Sequence, residues 1–215
     1  MKNKLFPILS LFGILAAVTV IFWGPQYYKD FRSDKTDSKL PDIQRTTLDD
    51  FRNKNRGKSC EGKSLCFNTW TLSKLPDGDI IFGMITPSDF GRIESEEGGL
   101  ALGSAAGTRY DIVLIKDRSK SCKEIANYLQ ASSESPWEEI KMDSGLQNDG
   151  SFYEQRIYSD FRQDLKKNIT TVVHCQRYRD ATLSVVAWVS PSDTELTPET
   201  VPELLKTSAR VVRLK

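Results

Sequence analysis

The chain has 215 residues and carries 30 Lys and Arg against 29 Asp and Glu, a near-neutral balance that excludes a strongly basic nucleic-acid binder. It is 39% apolar, 10% aromatic and 27% charged, the composition of a folded domain rather than of a disordered chain. Its one histidine excludes a His-rich metal site.

Leu5 to Gly24 reads LFPILSLFGILAAVTVIFWG, without a charge. At 1.5 Å per residue such a run spans about 30 Å, the depth of a bilayer core. Lys2 and Lys4 precede it, so the positive-inside rule keeps that end in the cytoplasm. Trp23, Tyr27 and Tyr28 suit an interfacial aromatic belt. Ala16-Ala17, the only small pair, lies inside the apolar run, a poor place for signal-peptide cleavage. The expectation is a single-pass protein of a bacterial inner membrane. Residues 1–24 are its anchor and short cytoplasmic leader, 25–58 a polar tether, and 59–215 a domain in the periplasm.

Cys60, Cys66, Cys122 and Cys175 fit an oxidising compartment and allow three pairings. Cys60 with Cys66 and Cys122 with Cys175 is the favoured set, the second pair tying a helix start to a strand. C-x-x-C and the paired spacings of a zinc site are missing from the sequence.

Elements follow in order. Residues 66–73 and 79–86 read as two strands around the turn Pro76-Asp77-Gly78, with Gly83 as a possible bulge. A glycine-rich link follows, holding Gly98, Gly99, Gly103 and Gly107 beside the acidic Glu94, Glu96 and Glu97. Residues 109–116 make a strong strand. Ser121 and Glu124 form a capping-box pattern ahead of a helix whose Cys122, Ile125, Ala126 and Leu129 share one face. Residues 131–150 read as irregular, with Trp137 and Ile140 plugging a core edge. Three strands follow over 151–158, 169–177 and 181–190, the last two joined by the turn Tyr178-Arg179-Asp180. In the last, Leu183, Val185, Ala187 and Val189 share one face and Val186 and Trp188 the other, so the sheet needs cover on both sides. Thr200 and Glu203 suggest a second capping box, with an apolar stripe from Val201 through Leu205 to Val212.

The expected fold class is α+β: a single-domain sandwich with a largely antiparallel sheet covered by helices, behind a transmembrane helix. In the order of these elements, in the hairpin strand ATLSVVAWVS and in the closing helix VPELLKTSARVV, residues 66–213 resemble the PsbP/Mog1-like domains. That resemblance implies a single α/β sandwich. Members serve as photosystem subunits, transport regulators, envelope lipoproteins and immunity proteins, so it implies no one function.

No catalytic set emerges. His174, in a strand, has no G-x-S-x-G partner; the glycine tract matches neither phosphate-loop pattern; and the carboxylate pairs Asp77/Asp79 and Glu138/Glu139 are only sequence neighbours. The expectation is therefore a binding protein, not an enzyme, with no cofactor, metal or nucleic acid. Its partner is a protein in the periplasm, contacted through Glu94, Glu96 and Glu97 and through Arg177, Tyr178 and Arg179, since Arg and Tyr favour interface hot spots. Neutralisation of a secreted toxin, as an immunity protein, is one form of this. The alternative is an accessory subunit of an envelope assembly or transport complex.

Overall fold

The computed structural model describes residues 40–55, 64–93, 99–116, 120–131, 133, 136–162 and 167–215. Among them the order is β1 (Arg45–Thr46), α1 (Leu48–Lys54), β2 (Leu65–Ser73), β3 (Ile80–Pro87), β4 (Gly91–Ile93), β5 (Leu100–Gly103), β6 (Arg109–Ile115), α2 (Cys122–Ala131), β7 (Trp137–Leu146), β8 (Phe152–Arg162), β9 (Lys167–Arg177), β10 (Thr182–Val189), α3 (Thr200–Ser208) and β11 (Arg210–Leu214).

The strands form two sheets. The smaller has the order β1-β11-β3-β2 and the larger β4-β5-β6-β10-β9-β8-β7. All neighbours are antiparallel except β1 and β11, which pair parallel. The expected single covered sheet is thus two facing sheets. Phe82, Met84 and Val211 of the small sheet meet Ile112, Leu183 and Val185 of the large one in the main core. Helix α3 adds Val201 and Leu205 to that core.

Each sheet also has an outer cover. Phe51 of α1 packs with Ile81 and Val212 on the back of the small sheet. Gly83 makes room for it: a Cβ there would come within 2.9 Å of the Phe51 ring and 2.6 Å of the Phe67 ring. Gly83 therefore marks a close approach, and the irregularity in this hairpin lies instead between Thr71 and Ser73. Helix α2 lays Cys122 and Ala126 on Val173, Cys175 and Val186, on the back of the large sheet. The Cys122–Cys175 disulfide, with Cα atoms 5.7 Å apart, staples that helix to β9. Cys66 is also disulfide-bonded, and its expected partner Cys60 lies outside the described residues.

Several expectations are corrected. Residues read as the end of a tether join the fold from Leu40 to Asn55, with Ile43 and Phe51 buried. The link read as a flexible loop contains β5, whose Leu100, Ala101 and Leu102 are buried; its short apolar run was masked by the surrounding glycines. The closing helix stops at Ser208 and the chain turns extended at Ala209, so Val211 and Val212 belong to β11. The β-branched pair suits a strand better than a helix turn. Residues 137–146, read as irregular, form β7.

The membrane anchor is corrected as well. Among the described residues no helix is long and apolar enough to cross a membrane. The longest of them, α2, has 10 residues and so extends about 15 Å, half of a bilayer core. Leu5 to Gly24, on which the single-pass topology and the inner-membrane and periplasmic placement rested, lies outside the described residues. With no spanning helix among the described residues to carry them, those placements are set aside, and so are the toxin-neutralising and envelope-accessory roles that depended on them.

Candidate protein-binding edge

β7 ends the large sheet. It pairs with β8 on one side, and among the described residues no strand pairs with the other. An edge of this kind presents a row of unpaired N–H and C=O groups, a template for another strand. The sheet ends elsewhere are less open. β1 has two residues, β4 has three, and β2 carries no large apolar side chain that is exposed. On β7, Ile140 is 61% exposed, Met142 52% and Leu146 74%.

The register explains how these side chains reach the surface. A bulge between Glu139 and Lys141 leaves Ile140 without an opposite residue and reverses the phase of alternation. Beyond it, Met142 lies opposite Arg156, Ser144 opposite Glu154 and Leu146 opposite Phe152. Arg156 and Glu154 in turn face Val173 and Cys175, which α2 covers. Met142, Ser144 and Leu146 therefore share the back face of the sheet, beyond the reach of α2. Lys141, Asp143 and Gly145 share the core-side face, where Asp143 accepts hydrogen bonds from Tyr153 (3.3 Å) and Lys206 (3.4 Å).

The charges beside this apolar row are engaged within the sheet. Glu139 accepts from Arg156 (2.7 Å) and from the Tyr158 hydroxyl (3.2 Å), and Glu154 accepts from Arg156 (2.7 Å). Burial acts to lower the pKa of Arg156, but its hydrogen bonds to Glu154 and Glu139 outweigh it and hold the guanidinium above its ordinary range. Burial first, and then the Glu139 charge, push Tyr158 up to about 12. These ionic groups are thus paired with one another, and they leave the apolar row to set what can bind.

The sequence-expected contacts distribute unevenly. Glu94, Glu96 and Glu97 lie outside the described residues. Arg177 stacks over Phe152 at 5.1 Å and comes within 3.8 Å of Glu154. Since Phe152 is also opposite Leu146, Arg177 closes the same cross-strand row as the exposed edge. Tyr178, next in sequence, is only 2% exposed and its hydroxyl donates to Asp149 at 3.2 Å, so its ring serves the core. Arg179 is exposed and pairs with Asp42. Sequence reading missed β7 itself. A strand mostly exposed, with only Trp137, Asp143 and Gly145 partly covered, has little alternation to show, and its bulge breaks what phase remains. The run of exposed Ile140, Met142 and Leu146 among charges was the available signal.

His174 is fully buried on the core side of β9 and stacks on Tyr153 with ring centroids 6.0 Å apart. Gln155 lies 3.4 Å from its Nδ1 and donates to the Pro202 carbonyl of α3 at 3.0 Å. Burial, aided by the Arg210 charge, lowers its pKa to about 3. A neutral, enclosed imidazole is placed to support α3 rather than to meet a solute. A shallow cleft of about 370 Å³ lies between the Ser104-Ala105-Ala106 turn and Asp193. Its Asp193 is occupied by Ser104 (2.8 Å) and by the Leu196 amide (2.8 Å). Among the described residues no three His, Cys, Asp or Glu side chains gather where they could hold a metal.

No protein-family model and no curated protein matches the chain. Among solved structures it is similar to cyanobacterial PsbP from Synechocystis sp. PCC 6803, with a TM-score of 0.49 and 9% identity over 70% of this chain and 95% of that one. It is also similar to LpqN of Mycobacterium tuberculosis, a protein involved in cell envelope biogenesis, with a TM-score of 0.43 and 11% identity over 78% of this chain and 98% of that one. The PsbP/Mog1-like sandwich expected from the order of elements thus has distant counterparts among solved structures, a likeness of fold alone.

Proposed function

We propose that this chain is a protein-binding domain that takes an extended segment of its partner onto the β7 edge. The observation that carries this reading is the coincidence, on one ten-residue strand, of an open edge and three exposed large apolar side chains. Strand addition divides the work: main-chain hydrogen bonds supply affinity, and alternate side chains supply specificity. Here the back-face row of Met142, Leu146, Phe152 and Arg177 would read apolar residues of the incoming strand. The core-side row with Lys141 would read polar ones. The exposed Arg179 is proposed as a further contact, with Tyr178 holding its turn from within, and the acidic run Glu94, Glu96 and Glu97, which falls in sequence between β4 and β5 at the other end of the large sheet, as a separate one.

The test is retention of partner by the whole chain and by its Met142→Lys and Leu146→Lys variants. A charge in the apolar row is expected to weaken capture at least ten-fold while circular dichroism stays unchanged. A partner held equally well by the parent and both variants would place the binding surface elsewhere and overturn this reading.

A further inference from the structure

We propose that the strand received by β7 is the β7 of a second copy of this chain, paired antiparallel about a two-fold axis at Ser144. This rests on the reading of β7 as a binding edge and names its occupant. The argument is one of self-complementarity. In an antiparallel pair, residues directly opposite share a face. When the two strands are identical, the two-fold must therefore pass through a residue. The bulge at Ile140 confines a regular ladder to Lys141–Leu146, so the axis has four central choices. Of these, Gly145 sets Leu146 against Ser144 and Met142 against Asn148 in the turn and leaves the apolar pair apart; Met142, Asp143 and Ser144 remain.

An axis at Asp143 sets that carboxylate against its own copy, and like charges directly opposite are destabilising. An axis at Met142 draws Ile140 and Glu139 into the ladder, across the break in phase, and leaves Leu146 facing a residue from the wrong side of the bulge. An axis at Ser144 has neither fault. Met142 then faces the second copy's Leu146, and Leu146 the second copy's Met142, which covers both exposed apolar side chains on the back face. Asp143 faces Gly145, so it keeps its bonds to Lys206 and Tyr153 without meeting a bulky neighbour. Lys141 faces the uncharged Gln147. The two large sheets become one continuous sheet across both copies.

A contact made by one short strand from each side is smaller than the roughly 1,200–2,000 Å² of a standard stable interface, so the expected dimer is weak and concentration-dependent. Sedimentation of the full chain over a hundred-fold range of concentration is expected to show a monomer–dimer equilibrium, weakened at least ten-fold by Leu146→Lys. Register is read by crosslinking. Directly opposite Cβ atoms lie close enough for a disulfide, and no described cysteine of the chain is free to compete. Ser144→Cys alone is expected to oxidise to a covalent dimer. Met142→Cys and Leu146→Cys are expected to crosslink with each other when mixed, and poorly alone. A chain that stays monomeric throughout, with Ser144→Cys crosslinking no faster than Ser192→Cys at an exposed turn, overturns the second copy as occupant. The edge reading survives that result if Leu146→Lys still releases a different partner. A dimer that is indifferent to Leu146→Lys and to Met142→Lys overturns the proposal by placing the contact between copies elsewhere.

Discussion

β10 and β7 lie in the same sheet, with β9 and β8 between them, and have opposite characters. β10 is flanked by β6 and β9, faces the main core through Leu183, Val185, Ala187 and Val189, and is backed by α2 and its disulfide through Val186. Among the described residues β7 has one neighbour, α2 covers it only at its first residue, Trp137, and most of its residues are exposed. Both contain large apolar residues. In β10 they are spent on cohesion; in β7 they remain available. What separates a structural strand from a binding strand here is coverage, not composition.

The largest break in that comparison should come from equal truncations at its two ends. Leu183→Ala is expected to cost about 2–5 kcal/mol, since it leaves a cavity in a closed core. Leu146→Ala should stay within about 0.5 kcal/mol because the side chain is already in water. Chemical denaturation of the two variants reads both numbers, and comparable losses would mean that β7 is covered after all. Replacing Cys122 and Cys175 together by Ala should cost about 2–4 kcal/mol, since the crosslink closes a long loop. Hydrogen exchange should then quicken in α2 before it quickens in β2 and β3.

A third break uses pH. Unfolded, His174 takes up a proton near its ordinary pKa of 6.5; folded, it resists until about 3. The unfolded state therefore binds more protons between those values. The stability tied to the neutral imidazole is complete above about pH 6.5 and is lost as pH falls, by about 1.4 kcal/mol per unit. Denaturation between pH 7 and 4 should show that slope in the parent chain and lose it in His174→Asn, whatever the latter's absolute stability. The smallest effect sharpens the comparison most. Met142→Lys should leave thermal stability within about 0.5 kcal/mol and yet weaken partner binding at least ten-fold. Loss of fold in that variant would move Met142 from the binding side of the ledger to the structural one.

The covered half of the molecule was legible in the sequence because burial writes a pattern. The two faces of β10 appear as alternation, and the packed side of α2 as Cys122, Ile125, Ala126 and Leu129. Its N-terminus was legible too: the Ser121 amide donates to Glu124 at 2.7 Å, and the Glu124 amide to Ser121 at 3.3 Å. The uncovered half wrote no such pattern. β7 is exposed along most of its length, so burial left little period there. β1 and β11 depend on each other across nearly the whole described chain, and nothing local announces such a pair. At α3 the local signal misled by three residues, because Thr197, not Thr200, receives the first free amides, those of Glu199 and Thr200. Of the expected contact residues, Arg177 shares a cross-strand row with Leu146 of the open edge through Phe152, a relation that no spacing within the turn could reveal.

The position of β11 has a consequence for biosynthesis. It is the last described strand in the chain yet sits inside the small sheet, between β1 and β3. Its backbone also closes the β2–β3 turn, where the Leu214 carbonyl passes so near Gly78 that a Cβ would lie 2.0 Å from it. As the chain emerges from the ribosome, β3 waits with one flank vacant, and β1 waits with no partner at all, until the whole large sheet has been made. Contacts this remote in sequence form late and slowly. A premature stop just before Arg210 would therefore release a molecule whose second sheet is still open, a species prone to join with others like itself.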